Sequence, residues 1–347
     1  MIDVNAPEFF MRAALAEAKK GLGQTSPNPA VGAVLVADGK ILARGHHRRA
    51  GLRHAEIECL AQLRGGVPKN AELYVTLEPC STAGRTPPCT GAIVAAGIKQ
   101  VVIGATDPNP RHAGRGITEL QKAGVLVRAG ALREICTAIN EGFNKWIQTG
   151  RPFVIAKCGM SLDGRLTRPP NESRWLTSAA ARRHAHTLRA QVDAILIGAE
   201  TLRQDNPRLT TRGAIKTRQP FRVILTRSGK LPRAAKLFAD RHSDRTLVYS
   251  NQSLGAVLKK LGEKEITSVL IEGGGQILSQ ALEARLIDKV QIYLAPILTG
   301  GQVLAFAGQG ASSSKESLHL SKMHYEQIDG NVCVSGYPVE EGTGERE

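Results

Sequence analysis

The chain predicts two successive α/β domains, and three observations carry that reading. At 347 residues it is long for one hydrophobic core, against about 150 residues for a typical domain. Short apolar runs rich in Val, Ile and Leu alternate with amphipathic segments of helical length, the pattern of sheets covered by helices. Gly150-Arg151-Pro152 interrupts that alternation near the middle, where glycine and proline end one element and punctuate the next. The expected domains are 1–149 and 150–339, followed by a polar, glycine-containing tail at 340–347.

The first domain opens with an amphipathic helix at 9–20. Strands at 33–36 and 41–44 flank Asp38-Gly39, a turn pair suited to a hairpin. A helix at 54–63 follows, then a strand at 73–77, a helix at 90–96 stopped by Gly97, and a strand at 100–104. A helix at 116–123, a strand at 125–127 and a longer helix at 131–147 complete an α/β/α sandwich. The second domain starts with a strand at 153–156. Further strands fall near 193–197, 221–226, 245–249, 267–271 and 289–294, with helices between them.

His54-Ala55-Glu56, followed by Pro79-Cys80 and then Cys89, supplies one imidazole, one carboxylate and two thiols at zinc-deaminase spacing. With His54, Cys80 and Cys89 as three protein ligands, zinc keeps its fourth position for water, whose pKa falls to about 7. Glu56, two residues from His54, is placed to move the water proton to a departing amine without ligating the metal. A structural zinc site competes with this reading, but it needs a fourth protein ligand and none lies nearby in sequence. Both cysteines fall beside a strand end or a helix start, where thiolates gain from the metal and from the helix N-terminus.

In the second half, the run 268–271 leads into Glu272-Gly273-Gly274-Gly275 and a helix at 276–286. Glycines permit close backbone approach and a helix N-terminus attracts phosphate, yet from the glycines alone a tight turn without ligand is the favoured reading. The G-x-G-x-x-G fingerprint is absent, so a Rossmann assignment is unsupported.

Six cysteines at 59, 80, 89, 136, 158 and 333 form no disulfide pattern, and the N-terminus carries no basic-then-apolar leader. No segment is apolar for long enough to span a membrane, so a cytoplasmic enzyme is expected. The net charge of +15 favours anionic partners and invites a rival reading, a base deaminase that binds tRNA or single-stranded DNA. Against that rival stand only 4% aromatic residues and no basic run with interleaved stacking side chains.

Eight residues, 81–88, separate the two cysteines where most zinc deaminases have two. Together with Thr25-Ser26-Pro27-Asn28-Pro29-Ala30-Val31-Gly32, Gly45-His46-His47-Arg48-Arg49-Ala50-Gly51 and Asp107-Pro108-Asn109-Pro110 leading to Ala113-Gly114-Arg115-Gly116, this expanded loop resembles the bifunctional riboflavin-biosynthesis deaminase-reductase family. The second half carries matching reductase motifs: 157–164, Ser173-Arg174-Trp175-Leu176-Thr177-Ser178, Asp205-Asn206-Pro207 and Glu272-Gly273-Gly274-Gly275. The resemblance implies a cytidine-deaminase-like sandwich followed by a dihydrofolate-reductase-like α/β domain, with one zinc per chain and NADPH.

Carried over residue by residue, the resemblance implies pyrimidine nucleotide contacts at Asn28, His47 and Arg85 in the deaminase site. In the reductase it implies cofactor contacts at Met160, Trp175, Thr201, Asp205, Gly274, Gly275 and Gln276. Substrate contacts fall at Lys157, Ser173, Arg189, Leu209, Arg212 and Glu272, the last facing the ribose. Asn28 also suits a plain turn, and His47, Arg85 and Arg189 also suit a solvated surface. The implied chemistry is hydrolytic deamination of 2,5-diamino-6-ribosylamino-4(3H)-pyrimidinone 5′-phosphate, then reduction of the ribosyl group to ribityl. The implied partner is that phosphorylated small molecule, with no nucleic acid and no membrane, and the expected assembly is a homo-oligomer, dimer or tetramer. Two positions depart from the family. Thr82 stands where His is usual, and Arg227 stands where a small hydroxyl residue is usual, at a strand end where a guanidinium suits the 2′-phosphate of NADPH.

Overall fold

The computed structural model describes residues 6–82, 87–167, 175–211 and 218–339. The chain divides into two compact units, Met1–Gly150 and Arg151–Glu347. The expected tail at 340–347 lies outside the described residues.

The first unit runs α1 (Ala6–Lys20), β1 (Gly32–Ala37), β2 (Lys40–His46), α2 (Ala55–Leu60), β3 (Glu72–Leu77), α3 (Cys89–Ala95), β4 (Gln100–Ala105), α4 (Arg115–Lys122), β5 (Leu126–Ala129), α5 (Arg133–Ala138) and α6 (Glu141–Thr149). Its sheet has the order β2-β1-β3-β4-β5. β1 is antiparallel to both neighbours, and β3, β4 and β5 are parallel. Because strand side chains alternate in direction, the central strands feed two cores. Ala33, Leu35, Leu73, Val75, Val101 and Ile103 pack with Ala55, Cys59, Ile93 and Leu120 of α2, α3 and α4. Val34, Val36, Tyr74 and Val102 pack with Phe10, Met11, Ala14 and Leu15 of α1 and with Cys136 of α5. This is the α/β/α sandwich that the strand and helix alternation predicts.

The helix expected at 131–147 is two helices. Between them, buried Asn140 accepts from the Ala30 backbone N–H at 2.7 Å and donates to the Ala30 carbonyl at 3.0 Å. Its side chain thus serves a distant backbone segment, and the helical path breaks there. α6 closes on Gly150, whose φ of +68° is the left-handed position that favours glycine.

The second unit runs β6 (Phe153–Ser161), α7 (Ala179–Gln191), β7 (Ala194–Gly198), α8 (Ala199–Asp205), β8 (Phe221–Thr226), α9 (Lys236–Ala239), β9 (Thr246–Ser250), α10 (Leu254–Glu263), β10 (Ser268–Ile271), α11 (Gly275–Glu283), β11 (Lys289–Ala295), β12 (Leu320–Ile328) and β13 (Asn331–Pro338). The eight strands order as β12-β13-β11-β6-β10-β7-β8-β9. The six from β11 to β9 are parallel, and β13 and β12 extend the sheet antiparallel. The final pair is absent from the sequence-based reading. β12 is a mostly exposed edge strand, LSKMHYEQI, with no clean alternation of apolar and polar residues to reveal it.

Candidate active sites

In the first unit, three separate elements deliver the His-Cys-Cys set. His54 is the residue before α2, Cys80 follows β3, and Cys89 is the first residue of α3. The ligand atoms lie within 4.8 Å of one another. His54 Nδ1 is 3.5 Å from Cys80 Sγ and 3.3 Å from Cys89 Sγ. The Cys89 backbone N–H donates to Cys80 Sγ at 3.4 Å, as expected for a thiolate at a helix start. Hydrogen bonding from the Cys89 thiol, reinforced by His54 and that N–H, pulls Cys80 down to about 4. Cys89 is pushed up, first by its hydrogen bond to Cys80 and then by burial, so the pair shares one proton when no cation is present. One imidazole nitrogen and two sulfurs converging from three directions are a donor set that fits a zinc ion with an open fourth position.

Glu56 lies in the first turn of α2 and is 3% exposed. Burial raises its pKa, so its carboxyl is readier to hold a proton than a solvated one. His47 and Asn28 join the same site. His47 Nδ1 donates to the Arg53 carbonyl at 3.0 Å, which leaves Nε2 to accept from Asn28 Nδ2 at 3.1 Å. Burial lowers the His47 pKa and favours this neutral form. The His47 and His54 rings meet edge to face at 5.2 Å. Arg85 lies outside the described residues.

One residue of this site escapes the sequence reading. Glu78, buried between β3 and Cys80, accepts backbone N–H groups from Asp107 and Gly114 at 3.0 Å each, Gly116 at 2.9 Å and Ile117 at 3.3 Å. It ties the segment between β4 and α4 to the end of the strand that carries Cys80. The available signal was an acidic residue ending the apolar run of β3, where a buried carboxylate requires several donors.

In the second unit, a cleft of about 1840 Å³ opens at the carboxyl ends of the parallel strands, where ligands of open α/β sheets bind. At its base Arg189 grips Glu272 with two parallel bonds, Nε to Oε1 at 2.6 Å and Nη2 to Oε2 at 2.7 Å. Lys157 Nζ stands 3.8 Å from Glu272 Oε2. Burial would raise the Glu272 carboxyl, but Lys157 and Arg189 override it and hold the group at about 2. Trp175, Thr201, Asp205, Leu209, Arg227, Gly274, Gly275 and Gln276 also line the cleft. Met160 does not; it packs half-buried against the core. Ser173 and Arg212 lie outside the described residues. The glycines have packing reasons of their own. A Cβ on Gly275 would sit 2.0 Å from the Leu304 carbonyl oxygen, and one on Gly273 would sit 3.0 Å from Ile197 Cα. The Gly274 N–H is already given to Thr201 Oγ1 at 3.1 Å.

Comparison with known proteins decides between these chemistries. The RibD C-terminal domain model matches residues 152–334, and the cytidine and deoxycytidylate deaminase zinc-binding region matches residues 4–105. A riboflavin biosynthesis protein RibD of Aquifex aeolicus is 37% identical over 345 residues, covering 94% of this chain and 96% of that protein. The chain belongs to the RibD family. The Escherichia coli RibD is 38% identical and covers 84% of this chain and 88% of its own length. The solved structure of RibD from Acinetobacter baumannii superimposes with a TM-score of 0.88 at 35% identity, covering 97% of this chain and 100% of that one. A Thermotoga maritima structure described as a diaminohydroxyphosphoribosylaminopyrimidine deaminase and 5-amino-6-(5-phosphoribosylamino)uracil reductase gives 0.87 at 35%, covering 96% and 99%. As a RibD family member the chain is a bifunctional riboflavin-biosynthesis enzyme, a zinc-dependent deaminase joined to an NADPH-dependent reductase. No described helix is long and apolar enough to cross a membrane.

Proposed function

We propose that the first unit deaminates 2,5-diamino-6-ribosylamino-4(3H)-pyrimidinone 5′-phosphate and that the second reduces the ribosyl group of the product to ribityl. The observation that carries the reading is the convergence of His54, Cys80 and Cys89 beside the buried acid Glu56. Zinc on those three residues supplies Lewis acidity that makes water a nucleophile at neutral pH. Glu56 takes a proton from the attacking water and passes it to the departing amine, so that water and amine become carbonyl and ammonia. The His47–Asn28 pair fixes the Asn28 amide so that its free oxygen and remaining N–H meet the pyrimidine.

In the second unit, NADPH when bound would supply a hydride to C1′ of the ribose while the C1′–O4′ bond opens and O4′ takes a proton from water. Glu272, kept ionised by Lys157 and Arg189, would accept from the sugar hydroxyls and so orient the ribose for reduction. Trp175, Thr201, Asp205, Gly275 and Gln276 line the cleft and would hold the cofactor, and Arg227 would meet its 2′-phosphate. None of the six cysteines is paired in a disulfide, which suits a reducing, cytoplasmic compartment. The test follows ammonia and NADPH absorbance together, with the diaminopyrimidine phosphate as substrate. Ammonia should appear with or without NADPH, and NADPH should be consumed only after deamination. Ammonia release from tRNA or single-stranded DNA, with none from the small molecule, would replace this reading.

A further inference from the structure

We propose that His112 contacts the substrate in the deaminase site, receiving its 5′-phosphate beside Thr82; the inference rests on the deaminase reading above. Thr82 lies two residues past Cys80, and its Oγ1 is 3.4 Å from His112 Nδ1. The usual family histidine is missing at position 82, yet an imidazole stands next to that position, delivered from the segment between β4 and α4. That segment is firmly built. Glu78 takes N–H groups from both of its ends, at Asp107 and at Gly114, Gly116 and Ile117. Inside it, the His112 N–H donates to the Asn109 carbonyl at 2.9 Å, and the Asn109 N–H donates to Asp107 Oδ1 at 2.8 Å. His112 is therefore held half-buried by a turn anchored to the strand that carries the metal ligand.

The charge around it points to an anion. Arg111 and Arg115 flank His112, both are exposed, and neither has an ion-pair partner among the described residues. The first N–H groups of α4 are already occupied, Arg115 by the His112 carbonyl and Gly116 and Ile117 by Glu78, so the helix end itself has no donors left for a phosphate. Recognition falls to side chains. When Thr82 gives its hydroxyl hydrogen to Nδ1, the ring proton resides on Nε2, which then donates to a phosphate oxygen. The phosphate is the only charged group on the diaminopyrimidine substrate, and an imidazole with two exposed arginines within three residues of it in sequence matches that group.

The test measures ammonia release by His112→Ala from the 5′-phosphorylated diaminopyrimidine and from its dephosphorylated nucleoside, with zinc content and NADPH oxidation of pre-deaminated substrate as fold controls. KM for the phosphorylated substrate should rise about tenfold with kcat within about twofold, while the nucleoside shows no change. Adding Thr82→His to His112→Ala should recover most of that loss, a rescue that a purely structural histidine would not give. An equal effect on both substrates, or no effect on either in a chain whose wild type is active, overturns the proposal alone. A wild type that releases no ammonia from either compound overturns the deaminase reading, and the proposal with it.

Discussion

Replacing Glu272 with Gln should destabilise the second unit by an amount the structure sets. The carboxylate is buried and bound by Arg189 through two short bonds, with Lys157 at 3.8 Å. Gln removes the charge and turns an amide N–H₂ toward a guanidinium, leaving two buried cations without their anion. A carboxyl held at about 2 instead of the ordinary 4.5 corresponds to about 3 kcal/mol of folding free energy at neutral pH. Breaking a buried pair by removing one partner costs about 3–5 kcal/mol, which agrees. The sign with pH follows from the depressed value: the contribution is complete above 4.5 and is lost as pH falls towards about 2, where the wild-type carboxyl becomes neutral like Gln. Calorimetry of wild type and Glu272→Gln from neutral to acid pH measures the gap, and the transition that shifts on adding NADPH identifies the second unit. The gap should be about 3 kcal/mol at pH 7 and close in acid. A gap under about 1 kcal/mol at pH 7, or one that stays constant into acid, would refute the assignment of Glu272 as the ionised anchor of this cluster.

Glu56→Gln should retain zinc, since Glu56 is not among the three converging ligands, yet lose ammonia release by about 100-fold or more; metal content and a single ammonia assay check both, and normal deamination would disprove its role. The same variant should oxidise NADPH normally when given deaminated substrate, because the two sites share no residues. Cys89→Ser should bind less zinc and lower the thermal stability of the first unit, as metal-ligand bonds contribute folding energy; full occupancy in that variant would mean another third ligand. Arg227 is exposed on the cleft, so Arg227→Ala should raise KM for NADPH about tenfold and leave NADH nearly unchanged; small equal effects would return it to the solvated surface.

The α/β class, the break at Gly150 and the zinc set were legible along the chain because each depends on short-range pattern. Alternating apolar runs mark strands, and a His-x-Glu followed by two cysteines defines its own chemistry within 36 residues, 54–89. Other features needed sheet register. β6 and β10 are parallel with Ala156 opposite Ile271, so Lys157, the next residue of β6, stands beside Glu272, the first residue past β10, although 115 positions separate them. Nothing local to either one announces the other, and Arg189 joins them from α7. The same holds for Asn140, whose partner Ala30 is 110 residues away, and for Glu78, whose donors begin at Asp107. It also holds for β12, an exposed edge strand defined by hydrogen bonding to β13 and not by its own side chains. Sequence by itself determined which chemistry the chain carries, because ligand and acid types are local facts. Tertiary structure decided which carboxylates are ionised and which loop delivers an imidazole beside Thr82, because burial and charge pairing exist only between segments that folding brings together.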